Sequence, residues 1–217
     1  MTIQKLSGPV ASPARRGIPL SNRFGLTILP PVVFDHHREI CDGIKKLTGS
    51  TEVVVNFDAD GDYFEPKYSD DGPRTPKDGN WVWWTIRYHE AKQILWVRPA
   101  WQMKRGWFDL PRLLTTRYHA FTLQNHEVVE RGRRAFPLIE SPSVIVSVDF
   151  DYFSSAVSPV FRGTEETVAR DVDELATLLG GLLKPPCTVL PLFFRSPGWS
   201  HEGLTIAIEE QLLGVFQ

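Results

Sequence analysis

The chain has 217 residues, of which 42% are hydrophobic and 23% charged, and its formal net charge is −2. That balance predicts one soluble α/β domain with a full core, and it lacks the basic excess of a general nucleic-acid binder. Two cysteines, Cys41 and Cys187, with no CxxC pair, argue against a disulfide framework or a zinc knuckle.

In chain order, residues 1–28 are rich in Pro, Gly, Ser and Arg without periodicity, and they predict an irregular N-terminal arm. They lack the apolar core of a signal peptide, and no apolar run approaches the roughly 20 residues that span a bilayer, so a cytoplasmic protein without membrane contact is expected. Residues 29–217 read as the domain proper. "LPPVVFDHH" predicts a short buried strand ending at Asp35, His36 and His37, and "HREICDGIKKLTG" a helix on Ile40, Ile44 and Leu47 that stops at Gly49. "TEVVVNFDADGD" is a second buried strand and "YSDDGPRTPKDGN" a turn-rich polar loop. "AKQILWVRPAW" and "SPSVIVSVDFDYF" follow as strands. "TEETVARDVDELATLLGGLLK" is a helix whose apolar face carries Val168, Val172, Leu175, Leu179 and Leu182. "PPCTVLPLFFRSP" is another buried strand, and "HEGLTIAIEEQLLGVF" a closing helix. Apolar strands alternating with helices predict a three-layer α/β/α fold around a mostly parallel sheet, whose ligand site lies at the carboxyl ends of the strands.

Three predicted strand ends carry acidic or imidazole groups. These are Asp35-His36-His37, the alternating triplet Asp58, Asp60, Asp62, and the pair Asp149, Asp151. Carboxylates gathered at buried strand ends repel one another unless a positive charge lies among them. An oxygen-rich set with an imidazole suits Mn²⁺ or Mg²⁺, and less readily Zn²⁺ or Fe²⁺. Five aspartates can serve two divalent ions. Taken singly the clusters have plainer readings: "DFD" occurs at many strand ends, and "DADGD" is a possible turn. A calcium loop of EF-hand type does not fit, because Lys67, Tyr68 and Ser69 stand where its glutamate belongs.

Together these residues resemble the arginase–deacetylase superfamily. Its ureohydrolases carry a His at the first strand end, D-x-H-x-D at the second and S-x-D-x-D at the third. Here His37, "DADGD" from Asp58 to Asp62, and Ser147-Val148-Asp149-Phe150-Asp151 stand in those places. "SHEGLTI" places Glu202 where an arginase glutamate grips the substrate guanidinium. "FDHHREI", "VVNFDADGDYF", "ILWVRPAW", "VIVSVDFDYFSS" and "FRSPGWSHEG" are most similar to the peptide arginases, which convert arginine side chains of ribosomally made peptides to ornithine; the resemblance covers residues 30–213.

The resemblance implies an arginase-like α/β/α fold and a pair of Mn²⁺ ions held by His37, Asp58, Asp60, Asp62, Asp149 and Asp151. It implies Glu202 as the catalytic residue that positions the guanidinium, and an arginine-containing precursor peptide as substrate, with urea and ornithine as products. One position departs from the pattern. Asp60 replaces the middle His, so five aspartates leave the cluster one unit negative against two divalent ions. Two alternatives stay open: another metal-dependent amidino- or amidohydrolase of the superfamily, and a catalytically silent peptide-binding relative. Around the core set, Asp35 is a candidate to orient a liganding imidazole, and Arg195 to pair with an acidic group near the ions. His36 is a candidate substrate or outer group. His89, His119, His126 and His201 are candidate proton donors to the leaving nitrogen. Glu209 and Glu210 read as a solvated helix face, and the tryptophans mainly as core with a share in a peptide groove. Oligomeric state is not legible.

Overall fold

The structure is a computed structural model that describes residues 19–20, 24–40, 53–59, 79, 81, 93–99, 118–122, 139–154, 156 and 163–217, with backbone alone at 93, 94, 98 and 118–122. Seven strands are described: β1 (Thr27–Ile28), β2 (Val32–Phe34), β3 (Val53–Phe57), β4 (Gln93–Arg98), β5 (Tyr118–Thr122), β6 (Ser143–Asp149) and β7 (Thr188–Phe194). They form one sheet in the order β1-β7-β6-β3-β4-β5, with β2 also on β7, and every pairing is parallel. The β-branched runs of β3 and β6 suit the sheet centre, where both faces are covered.

The sheet edge beyond β7 follows from two prolines. β1 registers with Thr188 and Val189, and β2 with the far end of the same strand, Leu192 to Phe194. Pro30 and Pro31 lie between them and have no N–H to give a ladder, which confines such residues to edges. One edge strand is thus split in two, and its second half carries the chain to residues 35–37 at the carboxyl end. The arm expected over residues 1–28 meets the domain at its far end: Leu20 and Leu26 are core residues and Thr27–Ile28 is sheet. Its other described residues are few.

Alternation along the strands sorts the two faces. Val53, Val55 and Phe57, with Val144, Val146, Val148, Val189 and Phe193, join the cluster that also holds the apolar side of two helices, α1 (Glu165–Leu182) and α2 (Thr205–Val215). Helix α1 starts as its sequence predicts. Thr164 and Thr167 cap each other reciprocally, and Glu165 and Glu166 sit in the positive first turn. The expected closing helix is instead a 3₁₀ turn at Glu202–Leu204 followed by α2. The helix expected after β2 begins as a 3₁₀ turn at His37–Glu39 leading into Ile40, and the rest of it lies outside the described residues. Strand β5 was not predicted. No helix among the described residues is long and apolar enough to cross a membrane.

The opposite face carries Val54, Asn56, Ile145, Ser147, Leu190, Leu192, Phe194 and Trp96, all buried. Asn56 and Ser147 are the polar exceptions in that layer, and each lies two residues before an aspartate at a strand end.

Gly180 of α1 lets the N-terminal segment dock. A Cβ there would meet the Phe24 ring at 2.3 Å. Alanine favours a helix over glycine by about 1 kcal/mol, but overpacking costs about 1–3 kcal/mol. Gly180→Ala is therefore expected to lower stability in urea denaturation; a stabilised variant would contradict this packing.

Candidate metal centre

Strands β2, β7, β6 and β3 lie side by side and end nearly level. Phe34 registers with Phe194, Phe194 with Asp149, and Val148 with Phe57. The carboxyl edge therefore gathers residues 35–37 after β2, residues 195–196 after β7, Asp149 at the end of β6 and Asp58 after β3. All strands are parallel, so these ends share one side of the sheet, the usual place for a ligand in such a fold.

His37, Asp58 and Asp149 converge there. One ligating atom from each lies within 4.8 Å of the others, and all three residues are buried. His37 Nδ1 is 3.2 Å from Asp58 Oδ2 and 3.1 Å from Asp149 Oδ2. The imidazole is held on every side. Its Nε2 lies 2.9 Å from Ser147 Oγ, and its ring packs against Phe194 at a centroid distance of 4.3 Å and Trp81 at 4.7 Å. A proton on Nε2, donated to Ser147, leaves the Nδ1 lone pair facing two carboxylate oxygens.

The two aspartates are held as firmly. Asn56 Nδ2 donates to Asp58 Oδ2 (3.2 Å), and Trp96 Nε1 to the Asp58 carbonyl (3.0 Å). Asp149 caps the 3₁₀ turn Phe150–Tyr152: its Oδ1 accepts from the Asp151 N–H (2.9 Å), and its Oδ2 accepts from Ser196 Oγ. That turn sends alternate side chains to opposite faces. Asp151 Oδ1 accepts from the Ala59 N–H at 3.2 Å, tying the segment after Asp58 to β6. Tyr152 goes into the core against Phe57 and Phe153. Burial, with Asp171 and Glu174 nearby, pushes the Tyr152 phenol well above its ordinary pKa, so it stays neutral.

The donor set fits a divalent ion of the oxygen-preferring class. Adjacent ligands on an octahedral ion, at bonds of about 2.1 Å, lie about 3.0 Å apart, and the nitrogen–oxygen separations here are 3.1 and 3.2 Å. Each protein hydrogen bond on Asp58 and Asp149 orients a carboxylate without using all its lone pairs.

The other expected site residues fall as follows. Asp60 and Asp62 lie outside the described residues, as do His89 and His126, and His119 is described only as backbone in β5. Asp35 was expected to orient an imidazole. Ser147 does that instead, and Asp35 is exposed and accepts from Arg195 Nη1 at 3.1 Å. Arg195 also grips Glu209 through Nε (3.0 Å) and Nη2 (3.3 Å). Glu209 is thus a half-buried anchor for α2 rather than the solvated residue its sequence context suggests. The two carboxylates, Glu209 first, hold the guanidinium pKa above its usual value. His36 is half-buried, with its backbone N–H donating to Glu39 (2.9 Å). Glu202 is exposed and opens the turn before α2 in the loop that begins at Arg195. His201, its neighbour, has a buried Nδ1 with no hydrogen-bond partner among the described residues.

Sequence reasoning missed Asn56, Trp96 and Ser196 as parts of this site. A polar residue two positions before a strand-end aspartate was the available signal for Asn56; nothing local marks Ser196.

Trp96 is fully buried, and its indole N–H serves the Asp58 carbonyl. Trp96→Phe removes that donor inside the core, so a loss of about 1–3 kcal/mol in urea denaturation is expected. A variant as stable as the parent would show that this bond does not hold Asp58.

No family model matches the chain, and no curated protein sequence resembles it at a significant level. Solved structures do resemble it. Formimidoylglutamase from Bacillus subtilis subsp. subtilis str. 168 superposes with a TM-score of 0.51 at 11% identity, over 87% of this chain and 60% of that one. Entamoeba histolytica arginase in complex with L-ornithine gives 0.49 at 15% identity, over 91% and 72%. The chain thus spans about three fifths of the length of the formimidoylglutamase. Its fold is the arginase-like α/β fold, with a parallel central sheet and helices packed on it.

Proposed function

We propose that this chain is a metal-dependent hydrolase that cleaves the guanidinium of a peptidyl arginine, leaving ornithine and releasing urea. The observation that carries the reading is the convergence of His37 Nδ1, Asp58 Oδ2 and Asp149 Oδ2 at the carboxyl edge of an arginase-like sheet. In this reading Asp60, Asp62 and Asp151 complete a site for two Mn²⁺ ions. Divalent ions bound there supply Lewis acidity and lower the pKa of water into the neutral range.

The chain's own groups do the rest. Ser147 holds the imidazole orientation, and accepting the Nε2 proton leaves the Nδ1 lone pair available. Asn56 and Ser196 fix the carboxylates, which removes reorganisation from the binding step. Glu202 pairs with the guanidinium and holds its carbon toward the centre. Its exposure in the free chain means that the ion pair gains strength as substrate excludes water. The leaving nitrogen takes its proton from a nearby acid, for which His201, with its partly buried ring, is the candidate nearest to Glu202 in the chain.

Support for a peptide substrate comes from the loop around Glu202. Trp199 is 53% exposed and Ile206 73% exposed, close on either side of Glu202 in the chain. Apolar surface there suits the neutral backbone and neighbouring side chains of a peptide. The charged termini of free arginine would lose water against it without compensation.

Two outcomes are expected. Mn²⁺ should raise the melting temperature progressively, by the equivalent of about 2.7 kcal/mol at a hundred times its Kd, and Asp149→Ala should abolish the rise; an unchanged rise in that variant would remove Asp149 from the metal set. With Mn²⁺ present, kcat/KM for an internal arginine in a peptide should far exceed that for free arginine, with urea released and Glu202→Gln strongly impaired. Preference for the free amino acid would overturn the peptide assignment. A hydrolysed amide without urea would favour the amidohydrolase alternative.

A further inference from the structure

Ser196 has a backbone that its residue type disfavours. Its φ is 46°, in the left-handed region, and it is the one residue other than glycine found there among the described residues. Pro197 follows it, and the residue before a proline is normally driven to extended backbone. Such a conformation persists only where the surroundings over-determine it.

Here they do. The Arg195 N–H donates to the Phe34 carbonyl and the Ser196 N–H to the Asp35 carbonyl, both at 3.0 Å, which extends the β2–β7 pairing past the strand ends. The Ser196 carbonyl accepts from the N–H groups of Trp199 and Ser200, again at 3.0 Å each. Buried Ser200 Oγ bonds the Arg195 carbonyl. The Arg195 side chain joins Asp35 on one side and Glu209 of α2 on the other. The result of all this bracing is a single side-chain contact: the buried Ser196 hydroxyl donates to Asp149 Oδ2, the oxygen that faces His37 Nδ1.

We infer that Ser196 is a positioning residue for the metal centre, held in a strained backbone so that its hydroxyl locks the Asp149 carboxylate toward the ion. The inference rests on the metal-centre reading above and goes beyond it. Asp149 Oδ1 is already fixed by the Asp151 N–H. With Oδ2 fixed by Ser196, the carboxylate has bonds at both oxygens and one orientation. Without Ser196 it keeps only the Oδ1 bond and can rotate Oδ2 away from His37. Losing an outer-shell hydrogen bond of this kind typically weakens metal affinity by about 10–100-fold.

A purely structural role is separable from this one because serine's two attributes can be removed independently. Ser196→Ala and Ser196→Gly both lack the hydroxyl, but glycine accepts φ 46° without strain and alanine does not. The experiment measures Mn²⁺ affinity by equilibrium dialysis of the full chain, and the melting temperature of each protein without metal. The expected result is that both variants bind Mn²⁺ about 10–100-fold more weakly than the parent and to a similar extent, while the glycine variant melts above the alanine variant. Affinity that follows melting temperature, with the glycine variant near the parent, would overturn the inference, as would parental affinity in both. Absence of Mn²⁺ uptake by the parent chain would instead overturn the metal-centre reading and this inference with it.

Discussion

The structure depends on one electrostatic constraint: an imidazole nitrogen and two carboxylate oxygens are buried around a common point. Asp58 Oδ2 and Asp149 Oδ2 lie 3.2 and 3.1 Å from His37 Nδ1. Carboxylates removed from water are stable only when paired or bound to a cation. A proton on Nδ1 meets part of that need, and a divalent ion meets it more fully because it carries twice the charge and binds all three donors. The same constraint explains the polar residues placed inside an otherwise apolar sheet. Asn56 and Ser147 are buried not for packing but because Asp58 and His37 need oriented partners.

Sheet register delivers that constraint. Parallel strands ending flush place four strand-to-loop transitions side by side, and each contributes a group that its own strand could not bring alone. The proline break between β1 and β2 lets a single edge strand cover both halves of β7, carrying His37 to the level of Asp149. Arg195 then joins the β2 and β7 exits to α2, so that the helix layer braces the site at the carboxyl edge. The bracing is ionic and partly exposed, and its contribution is chiefly geometric.

Much of this was legible in the residues. The parallel sheet follows from long β-branched runs without alternation, and β3, β4, β6, β7 and α1 follow from periodicity and caps. His37, Asp58 and Asp149 could be grouped because strand-end chemistry repeats three times. What stayed hidden was non-local. Arg195 was expected to pair with an acidic group, but Asp35 lies far from it in the chain, and nothing at either position identifies the partner. Glu209 looked solvated because its helix face is polar, yet Arg195 reaches it from a different element. Ser196 is an ordinary serine in a Ser-Pro-Gly turn, and only the β6–β7 register, which sets Asp149 opposite Phe194, brings its hydroxyl to Asp149. The closing helix opens with a separate 3₁₀ turn at Glu202–Leu204, and α2 proper starts after it. Asp60 and Asp62, central to the sequence argument, lie outside the described residues.

The central claim is that the point enclosed by His37, Asp58 and Asp149 holds metal. Anomalous diffraction at the manganese edge, on crystals of the full chain grown with Mn²⁺, addresses it directly. The account predicts a strong peak bonded to His37 Nδ1 and to both aspartates, with a second peak about 3.5–4 Å away. Crystals that hold Mn²⁺ elsewhere, or that show no peak beside His37 Nδ1 at saturating Mn²⁺, would contradict it.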